Sequence, residues 1–180
     1  MANNRVQVIV RCEDLQQRCF IYRFLVEKGF DRRNINIKNS PSGKGAATQW
    51  VLKQYPVEVK ALRSGPPASK RLISIIDADV ETVDERKRQH DDALVSAGQE
   101  RRSNGERIAV VVPKRNIETW IYHLLGSLCI NETDVYLKFR GEERECAPAA
   151  EDFAQRCPNN MQAGDLPSLR DGCAELQRLS

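Results

Sequence analysis

The sequence is poor in the features that mark zinc, secreted or membrane proteins. It has two histidines, His90 and His123, and none of its six cysteines forms a Cys-x-x-Cys pair, which argues against the usual structural zinc spacings. It contains no run of some 18 apolar residues, so no segment reads as a membrane span. Met1-Ala2-Asn3-Asn4-Arg5 leads straight into a strand pattern without the apolar stretch of a secretory signal. A cytoplasmic protein is the expectation. In a reducing cytosol no disulfide is expected among Cys146, Cys157 and Cys173, and Cys12 and Cys19, set among apolar residues, read as buried small hydrophobes. Charge of one sign is also scarce: a formal net charge of +3 permits an anionic partner without demanding one.

What is present is an alternation of strand and helix patterns. A chain of 180 residues suits one domain with a sizeable core. Val6 to Val10 reads as a first strand. Leu15 to Lys28 reads as a helix with Phe20/Phe24 and Ile21/Leu25 at i, i+4, ended by Gly29. Asn34 to Lys38 is a short second strand, and the loop Asn39 to Gly45 opens a helix from Ala46 to Leu62 that Ser64-Gly65-Pro66-Pro67 breaks. Leu72 to Ile76 is a third strand, Glu81 to Arg102 a charged, mostly solvated helix and loop, and Ile108 to Val112 a fourth strand. Ile117, Trp120, Ile121, Leu124, Leu125 and Leu128 trace the clearest amphipathic helix, which makes Trp120 a core residue. Beyond Asn131 the pattern weakens, with helices expected near Ala149 to Arg156 and Ser168 to Leu179. The fold class is therefore α/β: a doubly wound, mainly parallel four-stranded sheet with helices on both faces, built from residues 1–130, with residues 131–180 as a small helical extension packed on it.

The third strand ends on Asp77-Ala78-Asp79. Open parallel sheets place their ligands beyond the carboxyl ends of the strands, and two aspartates at i, i+2 there suggest hard oxygen ligands for Mg²⁺ or Mn²⁺. The bland alternative is a strand end followed by a helix cap. The loops after all four strands open on one edge. Glu13 and Asp14 follow the first strand, Gly43-Lys44-Gly45 the second, and Asn116 and Glu118 the fourth. Acids beside Lys44, Lys114 and Arg115 are what metal-assisted phosphoryl transfer needs, the metal polarising the phosphate while the cations hold its non-bridging oxygens. Asp14 reads preferentially as a helix N-cap with Gln17 as a partial capping box. Glu118 reads equally as a ligand or as a partner of the helix dipole. The glycine loop lacks the spacing of a nucleotide-binding P-loop.

The segments Val8-Ile9-Val10-Arg11-Cys12-Glu13-Asp14, Ile75-Ile76-Asp77-Ala78-Asp79 and Val112-Pro113-Lys114-Arg115-Asn116-Ile117-Glu118 resemble the acidic motifs of the Toprim fold. The resemblance is in particular to the branch found in overcoming-lysogenization-defect (OLD) nucleases and small stand-alone Toprim-like proteins of prokaryotic defence loci. The likeness spans Arg5 to Leu128. It implies a Rossmann-like sheet, a Mg²⁺- or Mn²⁺-dependent nuclease acting on DNA or RNA, an ATPase partner protein and compatibility with a homodimer. Glu13, Asp77, Asp79 and Glu118 would be both the metal ligands and the catalytic acids. The family's first strand ends Val-Glu-Gly where this chain has Val10-Arg11-Cys12, so Glu13 is expected to substitute from two positions later. The alternative is an impaired module that binds nucleic acid or regulates a complex without cutting. A haloacid-dehalogenase-like phosphatase, suggested by Asp77-Ala78-Asp79-Val80, is weaker because its motif belongs after the first strand of that fold.

Overall fold

The computed structural model describes residues 6–41, 46–66 and 69–180. Its elements run β1 Gln7–Cys12, α1 Leu15–Glu27, β2 Ile35–Asn39, α2 Ala47–Arg63, β3 Lys70–Ile75, α3 Val83–Ser96, β4 Ile108–Val111, α4 Ile117–Leu124, α5 Ala147–Arg156 and α6 Pro167–Gln177. The strands form one parallel sheet in the order β2-β1-β3-β4. Parallel strands need crossover connections, and here each crossover is a helix. The expected α/β architecture is thus observed.

β-Branched residues on successive strand positions point to opposite faces, so a parallel strand covered on both sides is apolar throughout. Val8, Val10, Cys12, Ile73, Ile75, Ala109 and Val111 pack with α1, α4, α5 and α6 on one face. Ile9, Leu72, Ile108 and Val110 pack with Val51, Tyr55 and Val59 of α2 and Leu94 of α3 on the other. Trp120 is fully buried among Phe20 and Phe153, as its place on the apolar stripe predicts.

The charged segment from Glu81 to Arg102 forms α3, opened by a Thr82/Glu85 capping box. It is not wholly solvated: His90 and Leu94 are buried, with His90 Nε2 2.8 Å from Ser74 Oγ. Burial pushes the His90 imidazole down to about 4, so it packs as a neutral ring.

Three expectations are corrected. The amphipathic helix stops at Leu124, because the chain turns at Gly126 with φ 81°, and Leu128 lies outside it, 89% exposed. Cys157 and Cys173 form a disulfide, tying the end of α5 to α6 where no bridge was expected. Cys19 is only half-buried, whereas Cys12 is fully buried.

Residues after 130 also complete the sheet. β4 is an edge strand, and α6 satisfies its backbone: Glu175 accepts from the Val110 N–H at 2.9 Å, and Arg178 donates to the Ile108 carbonyl at 3.0 Å. An edge covered in this way cannot pair with another chain.

Candidate functional site

Every strand of a parallel sheet delivers its last residue to the same edge, and here that edge is acidic. Glu13 is the first residue beyond β1. Its Oε2 accepts from the Asp77 backbone N–H at 2.7 Å and from Gln17 Nε2 at 3.1 Å, while Oε1 accepts from the Thr48 hydroxyl at the start of α2. Gln17 returns a bond by accepting from the Glu13 N–H at 2.9 Å. Glu13 thus joins the loops after β1 and β3 and the first turns of α1 and α2. Its carboxyl is shifted upward chiefly by burial, against the downward pull of those donors.

Asp77 is buried, and its Oδ1 has no hydrogen-bond partner. Its carboxyl lies well above the usual carboxylate range because of burial first, then the charges of Glu13, Asp14 and Glu118, with a Gln17 hydrogen bond acting the other way. Glu118, in the first turn of α4, is 1% exposed with Oε2 unpartnered. Burial raises its carboxyl as well, opposed by its own backbone N–H and by Lys138. Uncompensated carboxylate oxygens away from water are costly, and this edge holds two of them.

Asp79 behaves differently. Its backbone is left-handed (φ 53°), its N–H donates to the Arg115 carbonyl at 2.9 Å, and its exposed side chain lies 3.5 Å from Arg86. The Asp-x-Asp pair therefore divides into one buried and one solvent-facing acid. Among the described residues, no three His, Cys, Asp or Glu side chains surround a single point. Glu13 and Asp77 share a bond, Glu118 stands nearby, and Asp79 reaches Glu13 only through its charge.

Asp14 is the N-cap of α1, accepting from the Gln17 N–H at 2.9 Å, as expected. Asn116 caps α4 by accepting from the Thr119 N–H and hydroxyl at 3.3 and 3.0 Å. Lys114 and Arg115 sit on the same rim. The Lys114 ammonium donates to the Glu81 carbonyl, and Arg115, with φ 70°, reaches the Asp79 carbonyl at 3.5 Å. Lys44 and the glycine loop fall outside the described residues.

Arg11, the penultimate residue of β1, points to the α2 side, where it forms a largely buried ion pair with Glu58 and donates to the Val10 carbonyl at 2.8 Å. Sequence reasoning missed Thr48 and saw Gln17 only as a capping partner, although Gln17, in the first turn of α1, lies within reach of the residue just before the N-cap, Glu13.

Comparison with protein-family models, with curated proteins and with solved structures finds no match for this chain.

Proposed function

We propose that this chain is a Toprim-like, metal-dependent nuclease that hydrolyses phosphodiester bonds of DNA or RNA, with Mg²⁺ or Mn²⁺ held at Glu13 and Asp77. The observation that carries the reading is Asp77. A buried carboxylate oxygen with no donor, beside a second buried carboxylate at the ligand-binding edge of a parallel sheet, is relieved by a proton or by a bound cation, and a cation relieves both acids at once. The donors are all oxygen, which suits a hard divalent ion.

Such an ion would supply a Lewis acid for the phosphate and an ionised water at neutral pH. The chain's own residues do the rest. Gln17 and Thr48 fix the Glu13 carboxylate, and the Asp77 N–H locks it to the loop after β3. Lys114 and Arg115, which bond the Glu81 and Asp79 carbonyls on the loop after β4, would turn to hold non-bridging phosphate oxygens. Asp79, being exposed, would act at the rim. An ATPase partner belongs to the same proposal, on the strength of the resemblance alone.

The non-cutting alternative drew on Arg11. That side chain is paired with Glu58, and Glu13, the first residue beyond β1, is the acid that would stand in for the family's glutamate; cleavage against binding alone separates the two readings. The phosphatase alternative is weaker because its motif belongs after the first strand of that fold, and here Asp77-Ala78-Asp79 follows β3.

The test is incubation of the purified chain with single- and double-stranded DNA and RNA. Cleavage is expected only with Mg²⁺ or Mn²⁺ and is expected to vanish in Asp77→Asn and Glu13→Gln while binding persists. Cleavage that survives Asp77→Asn would overturn the reading. Binding without cleavage under any divalent ion would favour the regulatory module.

A further inference from the structure

Acids gather where the strands end, and cations gather where they begin. Two adjoining clefts of about 330 and 390 Å³ open at the amino edge of the sheet and share Arg63 and Glu106 in their walls. Lys60, Arg63 and Arg101 line the first, the second adds Lys70 and Arg107, and the acids beside them are Glu100 and Glu106. Glu106 is already spent: it accepts from Arg63 Nε at 2.6 Å, from Arg63 Nη2 at 3.0 Å and from the Ser103 N–H at 2.8 Å. Among the described residues Lys60, Lys70, Arg101 and Arg107 are in no ion pair, and the one carboxylate beside them that is also unpaired is Glu100. Four cations to one acid leave an excess of three charges, as large as the formal charge of the whole chain. Helix dipoles account for part of this alone. Lys60 stands in the last turn of α2, where a cation is favoured, but Lys70, Arg101 and Arg107 lie on no helix. The like charges are felt nearby, since burial and then the Arg107 charge hold the Arg71 guanidinium below its ordinary range.

We propose that this amino edge is an anchoring surface for the sugar-phosphate backbone of DNA or RNA, with Lys60, Lys70, Arg101 and Arg107 as the phosphate contacts. The lining decides among anionic partners. The first cleft is walled by charged and polar residues alone, unlike the apolar pocket of a small ligand or the apolar core of a protein interface; interfaces with nucleic acid are the ones that are both polar and strongly positive. Neither cleft has an aromatic ring among its described walls on which a base could stack, so the contacts fix position and carry no sequence information. Two clefts that adjoin suit a run of phosphates better than a single ion. Arg63 is the brace of this surface: besides holding Glu106 it donates to the Glu100 and Arg101 carbonyls at 3.0 and 3.3 Å, which ties the segment carrying Arg101 to the end of α2. At about 3.3 Å per residue, Lys70 lies roughly 20 Å along β3 from Asp77. The inference therefore shares a nucleic-acid partner with the proposed function, but not its metal, its acids or Lys114 and Arg115.

The experiment is an anisotropy titration of fluorescent mixed-sequence duplex DNA, and in parallel of duplex RNA, with the full chain in EDTA at several salt concentrations. It compares wild type with Lys60→Gln/Arg101→Gln and with Glu100→Gln, all exposed positions. Wild type is expected to bind, and the double variant to bind more weakly with a salt slope lower by about two units, one for each lost phosphate contact. Glu100→Gln should bind more tightly, an effect that loss of a merely structural residue would not produce. A loss on both nucleic acids makes the surface a general backbone anchor, and a loss on one alone names the substrate. Unchanged slope and affinity in the double variant, with binding still weakened by Lys114→Ala/Arg115→Ala, would overturn the anchor and leave the nuclease reading standing. Binding that depends on Lys60 and Arg101 in a chain that cuts nothing under any divalent ion would do the reverse. No binding of either nucleic acid by wild type would overturn the anchor, and poly-glutamate binding lost in the double variant would then assign the surface to an acidic protein.

Discussion

At the scale of single residues, the acidic edge stores an electrostatic cost that metal-free conditions should reveal. The Asp77 carboxyl is raised by burial and by neighbouring acids. The folded state therefore holds a proton that the unfolded chain releases at the ordinary carboxylate value of about 4. A raised carboxyl contributes stability that is complete below that value and is lost as pH rises toward the folded-state value. In EDTA, wild type should lose stability through the range just above pH 4. Asp77→Asn should lose less, so that it becomes the more stable protein at neutral pH; denaturant titration across pH checks this. Arg11 makes the opposite case. Glu58→Ala would strand a guanidinium that is largely buried, and breaking a buried pair costs about 3–5 kcal/mol. Arg11→Glu would set two buried acids face to face, and we expect it to destabilise the chain without adding nuclease activity.

At the scale of elements, helix and strand periodicity was legible and edges were not. β1 to β4 and the helices between them follow from β-branched runs and i, i+4 pairs, with bounds within a few residues. The role of α6 was not legible, because what it contributes is tertiary: Glu175 and Arg178 bond to backbone groups of β4, more than 60 residues earlier. The disulfide escaped for a similar reason, since Cys157 and Cys173 become partners only once the end of α5 and a turn of α6 meet in the same core cluster. The candidate site was half legible. Glu13, Asp77 and Glu118 could be placed on one edge from topology, whereas the left-handed turn that swings Asp79 into solvent has no signature in Asp77-Ala78-Asp79. The packing of α6 can be tested at Gly172, where an added Cβ would stand 2.4 Å from the Trp120 ring. Overpacking of this kind costs about 1–3 kcal/mol, and alanine's better helix propensity returns at most about 1 kcal/mol. Gly172→Ala should therefore lower the denaturation midpoint; an unchanged or higher midpoint would mean that Trp120 has room to move.

At the scale of the whole molecule, a weak net charge means that the nucleic-acid binding we propose would have to come from local placement. Lys114 and Arg115 border the acids on the same rim. Replacing either with alanine should weaken binding to all sequences alike and reduce the salt dependence by about one unit per lost phosphate contact. Titrations at several salt concentrations check this, and unchanged affinity in the double variant would remove this rim from the binding surface. Among the described residues no helix is long and apolar enough to cross a membrane; at the carboxyl edge of the sheet gather two buried acid oxygens without a partner, those of Asp77 and Glu118.

That gathering makes sense if a divalent ion belongs there, and the most direct test is the melting temperature of wild type and Asp77→Asn with and without Mn²⁺. At a hundredfold excess over Kd a ligand stabilises by about 2.7 kcal/mol, which for a chain of this size is a rise of about 5–10 °C. Wild type should show that rise and Asp77→Asn should lose most of it. Equal responses from the two proteins, or no response from wild type, would contradict the account.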